Sequence, residues 1–463
     1  MRYGPPVAYA LDVHGSAVAY QVLGDGPLDI VFLLGWPSHL ALMWENPALA
    51  DFLSRLASFA RVIVFDRVGT GMSDRGPTGH AFEDGMDEIR TVLDAVGSQQ
   101  AAFFGCHLGG RLALLFAATY PQQTTAVVTF AAHPATLRDD DYPWGTTAEE
   151  QTGLLDAIRS RQLDPDDLFR AVAPRDATDA ATLRWWRTYW NSAASTPESV
   201  DEITSMGPVD IRGVLGSVRV PVLVMHRSGD GMADVRASRY MAERLPSATF
   251  LELPGDDHLP FFGDQDAVVA RTQEFLTGSM PVSEPDRVVL TVLFTDIVGS
   301  TARAAELGDR RWRRLLEEHD AVVRANLARF RGREIETTGD GFLTTFDGPA
   351  RAIRAAAAIR DDLVDQGLQI RVGLHTGECE LVGDHIRGIA VHIAARVLAR
   401  AEADEILCSR TVKDLVAGSG FRFSPRGSHR LKGVPDEWEL FGVELTQPDG
   451  ESAVVSRAAP TRP

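Results

Sequence analysis

Ala101-Ala-Phe-Phe-Gly-Cys-His-Leu-Gly-Gly110 reads as a buried strand that turns sharply into a helix. Four apolar residues suit a strand covered on both faces, and the glycines let chain and helix approach closely. The helical run Leu108–Thr119 follows. Other apolar runs repeat the pattern: Asp29–Leu34 ends at Gly35, Arg61–Phe65 ends in Asp66-Arg-Val-Gly-Thr-Gly71, and Val127–Ala132 and Val222–Met225 follow. Such runs, separated by helical stretches, predict an α/β protein with a parallel sheet. Between about 138 and 217 no strand pattern occurs. That stretch predicts a helical lid whose core is Trp185, Trp186, Tyr189 and Trp190.

The chain has 463 residues, with 46 Lys and Arg against 64 Asp and Glu, giving a net charge of −18. That charge argues against nucleic-acid binding. The length asks for two or three domains. Thr277-Gly-Ser-Met-Pro-Val-Ser-Glu-Pro-Asp286 breaks helix and strand alike. The expected organisation is therefore 1–277, a linker 278–287, a second α/β region 288–445 and a disordered tail 446–463. Cys106, Cys379 and Cys408 are too few and scattered for a disulfide framework. Together with an N-terminus unlike a signal peptide, they predict a cytoplasmic protein. No apolar run approaches the roughly 20 residues of a membrane span.

The segment around His107 resembles the α/β-hydrolase fold, over about Asp12 to Phe275. Gly35-Trp36 falls at the oxyanion-loop position, His107 at the nucleophile position, Asp230 at the acid and His258 at the catalytic histidine. The departure is His107 itself, since an imidazole has no hydroxyl for a neighbouring histidine to deprotonate. Cys106 is adjacent, but an elbow presents one side chain to its pocket. A metal set of His107, Asp230 and His258 is chemically conceivable. The main expectation is lost hydrolysis and a retained pocket for a small apolar ligand.

The second half opens with a strand that delivers Asp296 and Ile297 to a Gly299-Ser300-Thr301 turn. A helix follows, through Trp312 and Leu316 towards Phe330. Free N–H groups at that turn suit phosphate. A hairpin Glu334–Phe346 carries Asp340 between Gly339 and Gly341. Two such carboxylates suit Mg²⁺ or Mn²⁺. Phe294-Thr-Asp-Ile-Val-Gly-Ser-Thr301, Thr338-Gly-Asp-Gly-Phe342, Arg371-Val-Gly-Leu-His-Thr-Gly-Glu378, Gly388-Ile-Ala-Val-His-Ile-Ala-Ala-Arg396 and Arg430-Leu-Lys-Gly-Val434 occur in that order. Together they resemble the class III nucleotide cyclase catalytic domain, an α+β ferredoxin-like fold. The whole chain is similar to bacterial, including mycobacterial, proteins that place a hydrolase domain before a cyclase.

That resemblance implies conversion of a nucleoside triphosphate to a 3′,5′-cyclic nucleotide and pyrophosphate. Asp296, the Ile297 carbonyl and Asp340 would hold two Mg²⁺ or Mn²⁺ ions. Arg396 and His392 would act on the α-phosphate, Lys432 on the triphosphate, and Glu336 and His385 on the base. A homodimer is implied, because the family draws each site from two protomers. Three positions depart from the family pattern: Glu336 stands where lysine is usual, His385 for aspartate and His392 for asparagine. Glutamate accepts hydrogen bonds, which suits guanine, yet adenine's amino group can also donate to it. The hydrolase-fused relatives favour ATP, so adenylate cyclase is expected, with GTP open. His375 is read as packed and hydrogen-bonded, Ala355–Ala358 as a buried helix face, and Arg310, Arg311, Arg313 and Arg314 as solvated. An esterase or lipase with an unusual elbow, or a non-catalytic sensor, are the alternatives.

Overall fold

A computed structural model describes residues 4–35, 38–75, 82–160, 162–194, 207–278, 287–337, 339–382 and 385–444. Trp36, most of the expected linker and the expected tail lie outside the described residues. In the first half an eight-stranded sheet has the order β1-β2-β4-β3-β5-β6-β7-β8. Its strands are β1 (Ala8–Leu11), β2 (Ala17–Leu23), β3 (Asp29–Leu33), β4 (Arg61–Phe65), β5 (Ala101–Cys106), β6 (Thr124–Phe130), β7 (Val222–Arg227) and β8 (Ala248–Leu253). β3 to β8 pair in parallel, while β1 and β2 add antiparallel at one edge.

The central strands are apolar throughout because helices cover both faces. Phe103 packs on one side against Phe116, with ring centroids 4.8 Å apart, and Phe104 on the other against Phe52 at 5.7 Å. Phe116 lies on α4 (Leu108–Thr119), which shares its face with α3 (Phe82–Ala95). The opposite layer holds α1 (Leu40–Met43) and α2 (Pro47–Leu56). Between β6 and β7 lie α5 (Ala148–Arg159), α6 (Pro165–Val172) and α7 (Ala180–Ala194). Trp185, Trp186 and Tyr189 are buried there, with Trp186 against Phe169, so these three are core, while Trp190 is half-buried. The lid is not wholly helical: Leu137 bridges Thr146 and Asp139 bridges Tyr142. α8 (Val235–Arg244) and α9 (Gln265–Thr277) complete this half.

The second half builds a mixed sheet, ordered β10-β11-β9-β12-β14-β16-β15, with β13 on β12. The chain runs β9 (Arg287–Ile297), α10 (Ser300–Leu307), α11 (Asp309–Arg329), β10 (Arg333–Thr337), β11 (Gly341–Phe346), α12 (Pro349–Asp365) and β12 (Ile370–Val382). It continues with β13 (His385–Arg387), α13 (Ile389–Leu398), β14 (Ile406–Ser409), α14 (Arg410–Leu415), β15 (Arg422–Arg430) and β16 (Glu437–Glu444). Among the described residues of this sheet, only β12–β14 is a parallel pair. The single helix expected from the Gly-Ser-Thr turn to Phe330 is two helices. Gly308, at φ 72°, turns left-handed between them, a conformation glycine takes without steric cost.

The halves meet along α3 and α4. The Tyr120 hydroxyl, just after α4, donates to Asp347 at 2.6 Å. Asp87 on α3 receives Arg331 at 2.8 Å and also pairs with Arg351. Arg219 donates to both carboxylate oxygens of Glu378 at 2.6 Å. The three cysteines are free and buried. Among the described residues no helix is long and apolar enough to cross a membrane.

Candidate active site

In the first half, β5 delivers His107 into a tight elbow before α4, with φ 49° and ψ −117°. Such a backbone is costly for a residue with a Cβ. The close approach behind it needs glycine: a Cβ on Gly109 would collide with the Leu33 carbonyl oxygen. Asp230 follows β7, and His258 follows β8. His258 Nδ1 lies 2.7 Å from Asp230 Oδ2, and its Nε2 lies 3.2 Å from His107 Nδ1. His226 Nε2 stands 3.2 Å from the same Asp230 oxygen. Burial alone would raise the Asp230 pKa, but His258 and His226 together hold it far below the usual range. His107 is pushed well below the usual histidine range, first by burial and then by His258 and Arg111. It is therefore a neutral imidazole. Cys106 is wholly buried in β5 and does not share the cavity lining with His107. Among the described residues no cluster of three or more His, Cys, Asp or Glu side chains is arranged to hold a metal.

Sequence reasoning missed the side chain that shapes the His258 loop. Arg227, at the end of β7, is fully buried and donates to the carbonyls of Asp257, Leu259 and Phe262 at 2.9, 3.0 and 2.7 Å. A cavity of about 170 Å³ lies over the elbow, with His107, His133, Trp144, Leu154, Ile158 and Trp190 in its lining.

In the second half, β9 stands between β11 and β12. Asp296 lies opposite Gly341 on one side and Arg371 on the other. Asp340, one residue before Gly341, is thus beside Asp296. Arg371 donates to Asp296 Oδ2 from Nε at 2.9 Å and from Nη2 at 2.5 Å. Gly299, at φ 67°, precedes α10 and offers no side-chain cap, so the first N–H groups at Ser300 and Thr301 lack one. Ile297 is buried at the strand end.

The remaining predicted residues lie elsewhere. α13 buries Ala390, Ile393, Ala394 and Val397 against the sheet, while His392 and Arg396 are exposed on its other face. Arg396 Nε donates to the Lys432 backbone carbonyl at 3.1 Å, which brings α13 against the loop that carries Lys432. Glu336 on β10 and His385 on β13 are both exposed, on strands that touch. His375 is buried, with Nδ1 2.8 Å from the Ser409 hydroxyl, and burial lowers its pKa to about 3.

Residues 30–265 match the alpha/beta hydrolase fold family, and residues 282–444 match the adenylate and guanylate cyclase catalytic domain. The chain belongs to the alpha/beta hydrolase fold family, with a cyclase catalytic domain behind it. The pimeloyl-[acyl-carrier protein] methyl ester esterase of Nitrosospira multiformis is 24% identical over 264 residues, covering 55% of this chain and 96% of its own. The bifunctional esterase/perhydrolase of Acinetobacter calcoaceticus is 25% identical over 268 residues, covering 54% and 93%. Among solved structures, an esterase from Exiguobacterium antarcticum superimposes with a TM-score of 0.53 at 19% identity, over 59% of this chain and 99% of its own. A bromoperoxidase from Bacillus anthracis gives 0.51 at 20%, over 58% and 99%. These likenesses show the fold of the first half. This hydrolase-family chain holds Asp230, His258 and His107 in contact, with His107 at the elbow.

Proposed function

We propose that the second half is a purine nucleotide cyclase, with ATP as the favoured substrate and GTP as the alternative, working as a homodimer in the cytoplasm with Mg²⁺ or Mn²⁺. The observation that carries this reading is how α13 faces. Asp296 and Asp340 sit at neighbouring strand ends, while His392 and Arg396 lie on the side of α13 turned away from their own sheet. Ile389, on that same outer face, is 52% exposed. On this reading one chain carries two incomplete half-sites, and a two-fold pair lets each complete the other.

Two carboxylates and a strand-end carbonyl form a hard-oxygen donor set of the kind Mg²⁺ and Mn²⁺ take. The guanidinium that Asp296 already attracts fits a position that favours positive charge. Asp296, Asp340 and the Ile297 carbonyl would hold two ions, which when bound supply charge neutralisation and activation of the attacking hydroxyl. This chain's residues then orient the nucleotide. The Gly299-Ser300-Thr301 turn and Lys432 receive the triphosphate, and Arg371 lies beside Asp296. Glu336 accepts from the adenine amino group, and His385 contacts the same base. The ribose 3′-oxygen bonds to the α-phosphorus, the bond to pyrophosphate breaks, and the hydroxyl proton passes to solvent. Arg396 stabilises charge on the α-phosphate, aided by a hydrogen bond from His392. The hydrolase-like half acts as sensor or scaffold, because His107 cannot serve as the hydroxyl nucleophile.

The test is to incubate the full chain with Mn²⁺ and either ATP or GTP, and to identify products by mass. Cyclic AMP, formed faster than cyclic GMP, is expected. No cyclic product from either nucleotide contradicts the reading.

A further inference from the structure

The cavity over the elbow has no task in nucleotide cyclisation, yet it is well formed. Its volume, about 170 Å³, is close to that of apolar cavities that take up benzene. Trp144, Leu154, Ile158 and Trp190 supply the walls, and His107 and His133 supply polar edges. The His133 Nδ1 atom is buried and makes no hydrogen bond among the described residues. Burial first, and Arg111 and neighbouring histidines after it, keep both imidazoles neutral. A charged ligand would meet no unpaired counter-ion in that lining, whose one carboxylate, Asp234, is already paired with Arg236. A neutral molecule with one oxygen would meet apolar walls and the edges of two neutral imidazoles.

The same elbow opens α4, and every residue of α4 is buried. Arg111, near its start, donates to the His133 carbonyl at 2.7 Å and to Thr136 Oγ1 at 2.8 Å. It also donates to the carbonyls of Gly207 and Val209 at 3.0 and 2.9 Å. One guanidinium therefore holds both ends of the lid segment. At the far end of α4, Leu115 and Thr119 face Val289, Leu290 and Thr291 of β9, the strand that ends in Asp296 and Ile297. Tyr120 then hydrogen-bonds Asp347 of the cyclase domain. A close-packed helix about 18 Å long joins the cavity to the metal-site strand, and close-packed interiors transmit displacement.

We propose that the cavity is a regulatory site for a small, neutral, hydrocarbon-rich molecule carrying a hydroxyl or carbonyl oxygen, and that α4 carries its occupancy to the cyclase domain. The output half rests on the cyclase reading; the binding half does not.

Phenyl acetate serves as the probe, with the full-length chain. Calorimetry should give saturable heat at one site per chain. Phenol release should be no faster than for His258→Ala. Cyclic nucleotide formation at saturation should change about fivefold. Ile158→Trp should abolish both heat and effect; Leu154→Trp, at an exposed position lining the same cavity, replaces it if that variant does not fold. Tyr120→Phe should keep the heat and lose the effect. Absence of heat at millimolar probe, His258-dependent phenol release, or an unchanged rate at saturation would each overturn the proposal. If no condition yields cyclic nucleotide, the cyclase reading fails by itself. The affinity for a fluorescent ATP analogue, with and without probe, then reads the coupling, and an unchanged affinity overturns it.

Discussion

The carboxylate of Glu83 in the hydrolase-like half accepts the backbone N–H of Ala350 in the cyclase half at 2.7 Å. It also accepts that of Arg351 at 3.1 Å. It thereby caps the start of α12, whose own N-cap, Gly348, has no side chain to offer. Glycine is needed there, since a Cβ would collide with the Glu83 side chain.

That contact predicts a pH dependence. Burial raises the Glu83 pKa to about 7, with Asp347 and Asp84 adding to the rise and Arg351 and the Ala350 N–H opposing it. Asp87 and Tyr120 complete the polar groups along that face. The packed state thus binds the proton more tightly than the unfolded chain does. The stabilisation is full below the ordinary glutamate pKa and is lost as pH climbs through about 7. Every tenfold gain in proton affinity on folding corresponds to about 1.4 kcal/mol. The melting temperature should fall more steeply between pH 5 and 8.5 in the native chain than in Glu83→Gln. Equal slopes contradict this.

Asp296→Ala and Asp340→Ala should each lower cyclic nucleotide formation about 100-fold or more. Neither should unfold the domain. The Asp296–Arg371 pair is partly open to solvent, with side chains 25% and 38% exposed, so its loss costs about 1 kcal/mol or less. Mass-resolved product assays beside melting curves check both parts. Excess chelator should abolish turnover, and Mn²⁺ should restore it.

His107→Ser should confer ester hydrolysis. The His258–Asp230 pair is already joined at 2.7 Å, and the elbow backbone is already in its strained form. Release of p-nitrophenol from p-nitrophenyl acetate should rise about 100-fold over the native chain, and His107→Ser with His258→Ala should cancel the gain. No gain would mean that the retained frame is not competent.

The parts of this molecule that are legible in the sequence are those written contiguously. A strand word running into Gly299-Ser300-Thr301, or Asp340 between two glycines, carries its own local geometry. His107 and Asp230 each follow a strand signature, whereas His258 follows β8, a strand that the sequence reading did not pick out. What stays hidden depends on elements far apart in the chain. Arg371 reaches Asp296 only because β12 lies beside β9. Arg111 and Arg227 look like ordinary surface arginines until burial forces them to satisfy carbonyls. Glu83 cannot be read as a cap for a helix in another domain. The break at Gly308 is concealed because the apolar spacing continues across it.

The most direct test of a shared site is mixing two dead chains. Asp296→Ala and Arg396→Ala should each be inactive alone. A mixed pair of chains holds one site with both defects and one with neither. An equimolar mixture, after exchange of partners, should therefore recover about one quarter of native cyclic nucleotide formation. A mixture as inactive as either variant, with exchange of partners verified, would contradict a catalytic centre built from two copies.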